Sequence, residues 1–130
     1  MQRMAILLAG ILSTALLVAA CAGGAHIRNV DNAALGGTYA PEDVERAIVR
    51  AGANRGWRMQ PQDPGHVRAT LEVRDHRAEI DITYDEESFD IQYRDSQNLD
   101  HNPQEGTIHP NYNSWIQNLE RDILNEIQLL

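Results

Sequence analysis

Between residues 66 and 94 the chain alternates apolar and polar residues with little interruption. Val67, Ala69, Leu71 and Val73 alternate with Arg68, Thr70, Glu72 and Arg74. After Asp75-His76, the series Ala78, Ile80, Ile82 and Tyr84 alternates with Arg77, Glu79, Asp81 and Thr83. A period of two sends successive side chains to opposite faces of a sheet, so each series predicts a strand with one buried face. A turn at Asp75-His76 sets Val73 opposite Ala78, Leu71 opposite Ile80 and Ala69 opposite Ile82. A second turn at Asp85-Glu86-Glu87-Ser88 brings Phe89, Ile91 and Tyr93 opposite Tyr84, Ile82 and Ile80. Every apolar residue of the meander then lies on one face, which is what specifies a register.

On either side the period lengthens to that of a helix. Val44, Ala47, Ile48 and Ala51 make one apolar stripe. Pro41 suits a first helical position, Glu42 and Asp43 complement the helix dipole, and Gly52 is expected to end the helix in a left-handed cap. Trp57 to Gln60 reads as a short strand and Pro61 to Gly65 as a turn. Asn111 to Leu130 reads as the last helix, capped by Asn111 or Asn113. Its stripe is Trp115 or Ile116, then Leu119, Ile123, Ile127 and Leu130. Asp95 to Pro110 is left as a polar loop. The pattern predicts a single α+β domain over residues 40–130. Its antiparallel meander sheet has about four strands, with two helices packed on one face and the other face wet.

The start of the chain follows a different logic. One arginine, Arg3, precedes an uninterrupted run of small and apolar residues from Ala5 to Val18. The run falls short of the roughly 20 apolar residues that span a bilayer, and its layout is that of a secretory signal peptide over residues 1–20. The run ends in Val18-Ala19-Ala20-Cys21. This tetrad resembles the lipobox of bacterial lipoproteins, with valine where leucine is commoner. The resemblance implies that Cys21 receives a diacylglyceryl group, that the leader is cut before it, and that the new amine is acylated. Ala22 in place of aspartate implies, by the enterobacterial sorting pattern, an outer-membrane lipoprotein facing the periplasm. Cys21 is the only cysteine, so no intramolecular disulfide forms. Residues 21–39 then read as lipidated cysteine and tether, with a short strand around Ile27 to Val30 as the alternative.

Losing Arg3 with the leader takes the formal charge from −8 to −9. All basic residues are arginines, and they are scattered among acids. That distribution argues against a nucleic-acid partner and against adhesion to anionic head groups.

Candidate chemistry gathers in Tyr93 to Leu99 and Ile108 to Trp115. There Ser96, Asn98, His109, Asn111, Tyr112 and Trp115 place hydroxyl, amide, imidazole and aromatic groups beside a helix start, where free N–H groups favour anions. The competing reading is capping and packing, which accounts for the same residue types. Asp95, Asp100, His101 and His109 could be taken for metal ligands, but no helical His pair or other tight spacing supports that. Ser96 and Ser114 lack the setting of a nucleophile. Glu72 and Glu79, expected to face each other on the wet side of the sheet, read as solvated surface. No catalytic residue, cofactor or metal is expected.

A second resemblance covers roughly residues 40–130. Ala47-Ile48, Gly56-Trp57, Tyr93 with Ser96, Asn98 and Leu99, Ile108-His109, Asn111-Tyr112-Asn113 and Trp115-Ile116 resemble a group of small bacterial lipoproteins of helix–sheet–helix build. The likeness implies the fold and carries no activity with it. The expectation is a lipid-anchored, non-enzymatic envelope module that binds a protein or envelope polymer. A small-ligand or metal site around His101 and His109 is the alternative.

Overall fold

Two helices cover one face of an antiparallel sheet in a computed structural model that describes residues 24–130. The expected leader and the lipobox cysteine lie outside those residues. The elements in chain order are β1 (Ala25–His26), β2 (Val30–Ala34), α1 (Pro41–Asn54), β3 (Arg58–Pro61), β4 (His66–Val73), β5 (His76–Tyr84), β6 (Ser88–Gln97), β7 (Thr107–Ile108) and α2 (Pro110–Gln128). The main sheet has five strands in the order β2-β6-β5-β4-β3, and β1 pairs with β7 in a separate two-stranded ribbon. The α+β class and the meander hold, with one strand more than expected in the main sheet.

Val67, Ala69, Ala78, Ile80, Ile82, Phe89 and Ile91 are fully buried on one sheet face. They share a core with Val44, Ile48 and Ala51 of α1 and with Tyr112, Ile116, Leu119, Ile123 and Ile127 of α2. The stripe of α2 thus runs through Ile116 rather than Trp115. Leu130, expected at its end, is exposed because the helix stops at Gln128.

The register between β5 and β6 is the expected one, with Ile80 opposite Tyr93, Ile82 opposite Ile91 and Tyr84 opposite Phe89. Between β4 and β5 it differs by two residues: Leu71 pairs with Ala78, Ala69 with Ile80 and Val67 with Ile82. The turn is Arg74-Asp75, not Asp75-His76, and Arg74 takes φ +58°. Two-residue hairpins need such a positive φ, and Arg74 carries none of the usual Asn-Gly signal for it. A shift of two preserves which face each residue occupies, so the alternation was satisfied by either register. The shift moves Glu72 opposite Arg77 and Glu79 opposite Thr70, so the expected Glu72–Glu79 pair does not form.

Helix α1 continues two residues past Gly52 to Asn54. The left-handed residue after it is Gly56, at φ +86°. Gly52 serves close approach instead: a Cβ there would lie 2.3 Å from the Met59 sulfur on β3. Helix α2 is capped by His109 rather than by Asn111 or Asn113.

The stretch from Gly24 to Tyr39, expected within a tether, is largely docked. Val30 and Leu35 are buried in the core. Asn29 accepts the Tyr93 N–H through its side chain at 3.0 Å. β2 carries a bulge between Val30 and Ala33, where Asn32 takes φ +53°. A bulge breaks alternation, so a strand with two apolar anchors left no period to read. Part of the expected polar loop after Asp95 is also strand, as the end of β6 and as β7. Among the described residues, no helix is long and apolar enough to cross a membrane.

Candidate functional site

β6 decides what its end can do. Opposite Glu79 and Ile80 the register slips, pairing Glu79 with Asp95 and Ile80 with Tyr93, so Arg94 is an extra, bulged residue. Without the bulge, Tyr93 and Ser96 would point to opposite faces. With it both lie on the core side, and their hydroxyls are 2.8 Å apart. Re-aiming a side chain is a recurrent use of bulges.

Around this pair the structure collects two further rings. Tyr112 meets Tyr93 edge-on, with centroids 5.7 Å apart, and His101 lies over Tyr93 at 4.6 Å. Tyr112 is fully buried, and its hydroxyl has no hydrogen-bond partner among the described residues. Burial, and after it the neighbouring Tyr93, push the Tyr112 phenol well above its ordinary range. The Tyr93 phenol is raised as well, by burial first, against the lowering effect of Ser96. Both therefore stay protonated at neutral pH.

The other candidate residues hold the segment 98–109 together. Asn98 takes φ +56° and Asp100 φ +54°. The Asn98 side-chain amide donates to the Asp75 carbonyl at 2.8 Å, and the Asn98 backbone carbonyl accepts from His76 Nδ1 at 2.6 Å. A carbonyl only accepts, so that Nδ1 carries a proton. The His109 N–H donates to the Leu99 carbonyl at 2.7 Å, and its Nδ1 accepts the Asn111 N–H at 3.1 Å. That lone pair, engaged in capping α2, is not free to ligate. Asn111 is exposed and contributes only this backbone N–H.

Trp115 stands apart from the cluster. It shares with Arg55, Trp57, Leu71, Val73 and Asn118 a small cleft of about 170 Å³. The expected site thus divides. Tyr93, Ser96, His101 and Tyr112 come together, Asn98 and His109 act as structural fasteners, and Asn111 and Trp115 lie elsewhere. His101 lies against Tyr93, whereas the ring of His109 neighbours His76 at a centroid distance of 6.4 Å. Among the described residues, no group of three or more His, Cys, Asp or Glu side chains is placed to hold a metal. The hydroxyl beside Ser96 is a phenol, not an imidazole or carboxylate able to activate it.

Two features were not read from the sequence. Asn113, expected as a cap, spans two elements: its amide donates to the His26 carbonyl and its Oδ1 accepts the Arg28 N–H, both at 2.8 Å. The second is a cleft of about 460 Å³ at the opposite end of the sheet, lined by Pro41, Pro64, Gly65, Tyr84, Asp85, Glu86 and Glu87. Glu42 and Glu45 line the depression that adjoins it. The run Asp85-Glu86-Glu87 was the only sign of it, and it read as a turn. Asp85 does build that turn, accepting the N–H groups of Glu87 and Ser88, which hold its carboxyl below the usual range.

The wet sheet face is laced with charge. Asp81 meets His66 Nε2 at 2.6 Å, Arg94 at 3.1 Å and Arg68 at 3.8 Å. Burial acts to raise the Asp81 carboxyl, but the bonds from His66 and Arg94 outweigh it and leave it below the usual range. Arg77 bridges Glu72 and Glu79. Compared with protein-family models, with curated proteins and with solved structures, the chain matches none.

Proposed function

We propose that this chain is a lipid-anchored bacterial envelope lipoprotein, facing the periplasm, whose domain is a non-enzymatic binding or structural module. The observation that carries the reading is Val18-Ala19-Ala20-Cys21, a lipobox-like tetrad closing an apolar leader, with its cysteine the only one in the chain. A single acyl chain binds a bilayer marginally, at about 0.8 kcal/mol per buried CH₂, whereas two or three chains anchor stably. The outer membrane follows from Ala22 after the cysteine. The partner is an envelope protein or polymer met through the surface of the domain, with Asn98, Asn102 and His109 already engaged in holding the segment 98–109 in place.

The deciding measurement is the intact mass of the protein purified from bacterial membranes. The expected mass is that of Cys21 to Leu130 plus a diacylglyceryl group, with or without a further acyl chain. An unmodified mass, with the protein in the soluble fraction, would discard the reading. Cys21→Ala should leave the protein unlipidated and unanchored.

A further inference from the structure

We infer that the domain stands on the membrane in one orientation, with the β1–β7 ribbon and the segment 98–109 against the lipid surface and the acidic cleft pointing away from it. This rests on acylation of Cys21 and names the surface that the anchored protein turns to the bilayer.

The connection between Cys21 and the folded domain is short. Gly24 is already seated beside Thr107, where an added Cβ would come within 2.9 Å of the threonine side chain. The next residue, Ala25, pairs with Ile108, and the Ile27 N–H donates to the Gly106 carbonyl. Asn113 then fastens His26 and Arg28 to α2. Only Ala22 and Gly23 separate Cys21 from Gly24. Three steps of chain reach at most about 11 Å, whatever their conformation. The acylated residue must therefore lie close to this end of the domain, and a lipid-held cysteine draws that end to the head groups.

The domain is also polarised in charge along β6. β6 runs for ten residues from Ser88, beside the cleft, to Gln97, beside the segment 98–109. Its two ends are roughly 30 Å apart. The cleft end carries Glu42, Glu45, Glu86 and Glu87, none with an ion-pair partner among the described residues. The ribbon end is mixed, with Arg28 and Arg74 among Asp75, Asp100 and Glu105. Anionic head groups repel the first end more than the second, over about a Debye length of 8–10 Å. Tether and field select the same orientation.

The test uses the full chain processed in a bacterium and purified with its lipid. Acylation blocks Cys21, so a cysteine introduced elsewhere is the unique labelling site. Gln104→Cys, beside the ribbon, and Glu86→Cys, at the cleft, receive a fluorescent donor. Each protein is reconstituted in phosphatidylethanolamine–phosphatidylglycerol vesicles that carry a head-group acceptor. The expected result is stronger energy transfer from position 104, placing it nearer the bilayer by roughly 20 Å or more. Ten Gly/Ser residues inserted after Ala22 should shrink the difference, since a flexible linker of that length reaches roughly 20 Å. Equal transfer from the two positions, or stronger transfer from position 86, in a protein whose mass shows acylation would overturn the orientation and leave the lipoprotein reading intact. A free Cys21 thiol in the purified protein would remove both.

Discussion

Where β6 ends, Asn98 bonds to Asp75 and His76, His109 caps α2 and joins Leu99, and Asn113 fastens His26 and Arg28 to α2. Where β6 begins, Glu42, Glu45, Glu86 and Glu87 surround an open cleft floored by Pro41, Pro64 and Tyr84. The first end is rich in the residue types that suggest chemistry, and the structure uses Asn98, His109 and Asn113 on its own backbone. The second read as an ordinary acidic turn, and its four glutamates have no ion-pair partner among the described residues. Polar residues in a loop satisfy buried N–H and C=O groups before they are available to a ligand. Residue type alone therefore overstates a site wherever a long connection has to be docked.

The largest expected effect breaks the ribbon end. Tyr112→Ala removes a fully buried ring and should cost about 3–5 kcal/mol in chemical denaturation. Tyr112→Phe removes only a hydroxyl without a partner and should be neutral or slightly stabilising. A loss above about 1 kcal/mol in the phenylalanine variant would show a hydrogen bond at that hydroxyl.

Asn98→Ala should cost about 2 kcal/mol, since alanine at φ +56° is strained and the bonds to Asp75 and His76 are disturbed. His109→Ala should cost about 1 kcal/mol through the lost cap, with His109→Asp recovering most of it. Both are read from denaturation midpoints. At the cleft end the double substitution Glu86→Gln, Glu87→Gln should change stability by no more than about 0.5 kcal/mol. A loss matching that of Asn98→Ala would erase the contrast between the ends.

The pH dependence sharpens it further. The phenols of Tyr93 and Tyr112 titrate higher in the folded chain than in the unfolded one. Their contribution is complete below the unfolded tyrosine value of about 10 and is lost as pH rises beyond it. Asp85 is shifted the other way. Its contribution is complete above the unfolded aspartate value of about 4 and is lost as pH falls through the lower folded value. Residue-resolved amide exchange should therefore show the cleft turn loosening first in acid and the ribbon end first in alkali. Tyr112→Phe should blunt the alkaline loss alone.

The smallest elements were the least legible. β1 and β7 have two residues each and pair across more than eighty positions of sequence, so no local period announces them. The cluster of Tyr93, Ser96, His101 and Tyr112 was legible as composition but not as geometry. Tyr93 and Ser96 share a face only because Arg94 is bulged, and Tyr112 joins them only because Pro110 starts α2 where it does.

The sequence by itself determined the α+β class, the two amphipathic helices and the buried face of every strand in the meander. Period, proline and acid placement are local properties, and burial on one side leaves little alternative. It also carried the lipobox-like tetrad, which is a linear signal. Tertiary structure alone decided the two-residue shift between β4 and β5, the bulge at Arg94, the docking of the chain start and the role of each polar residue in the segment 98–109. A shift of two keeps every side chain on its face, so alternation is blind to it, and the choice falls to contacts between residues far apart in the chain. Among these are the bonds of Asn98 to Asp75 and His76, beside the Arg74-Asp75 turn.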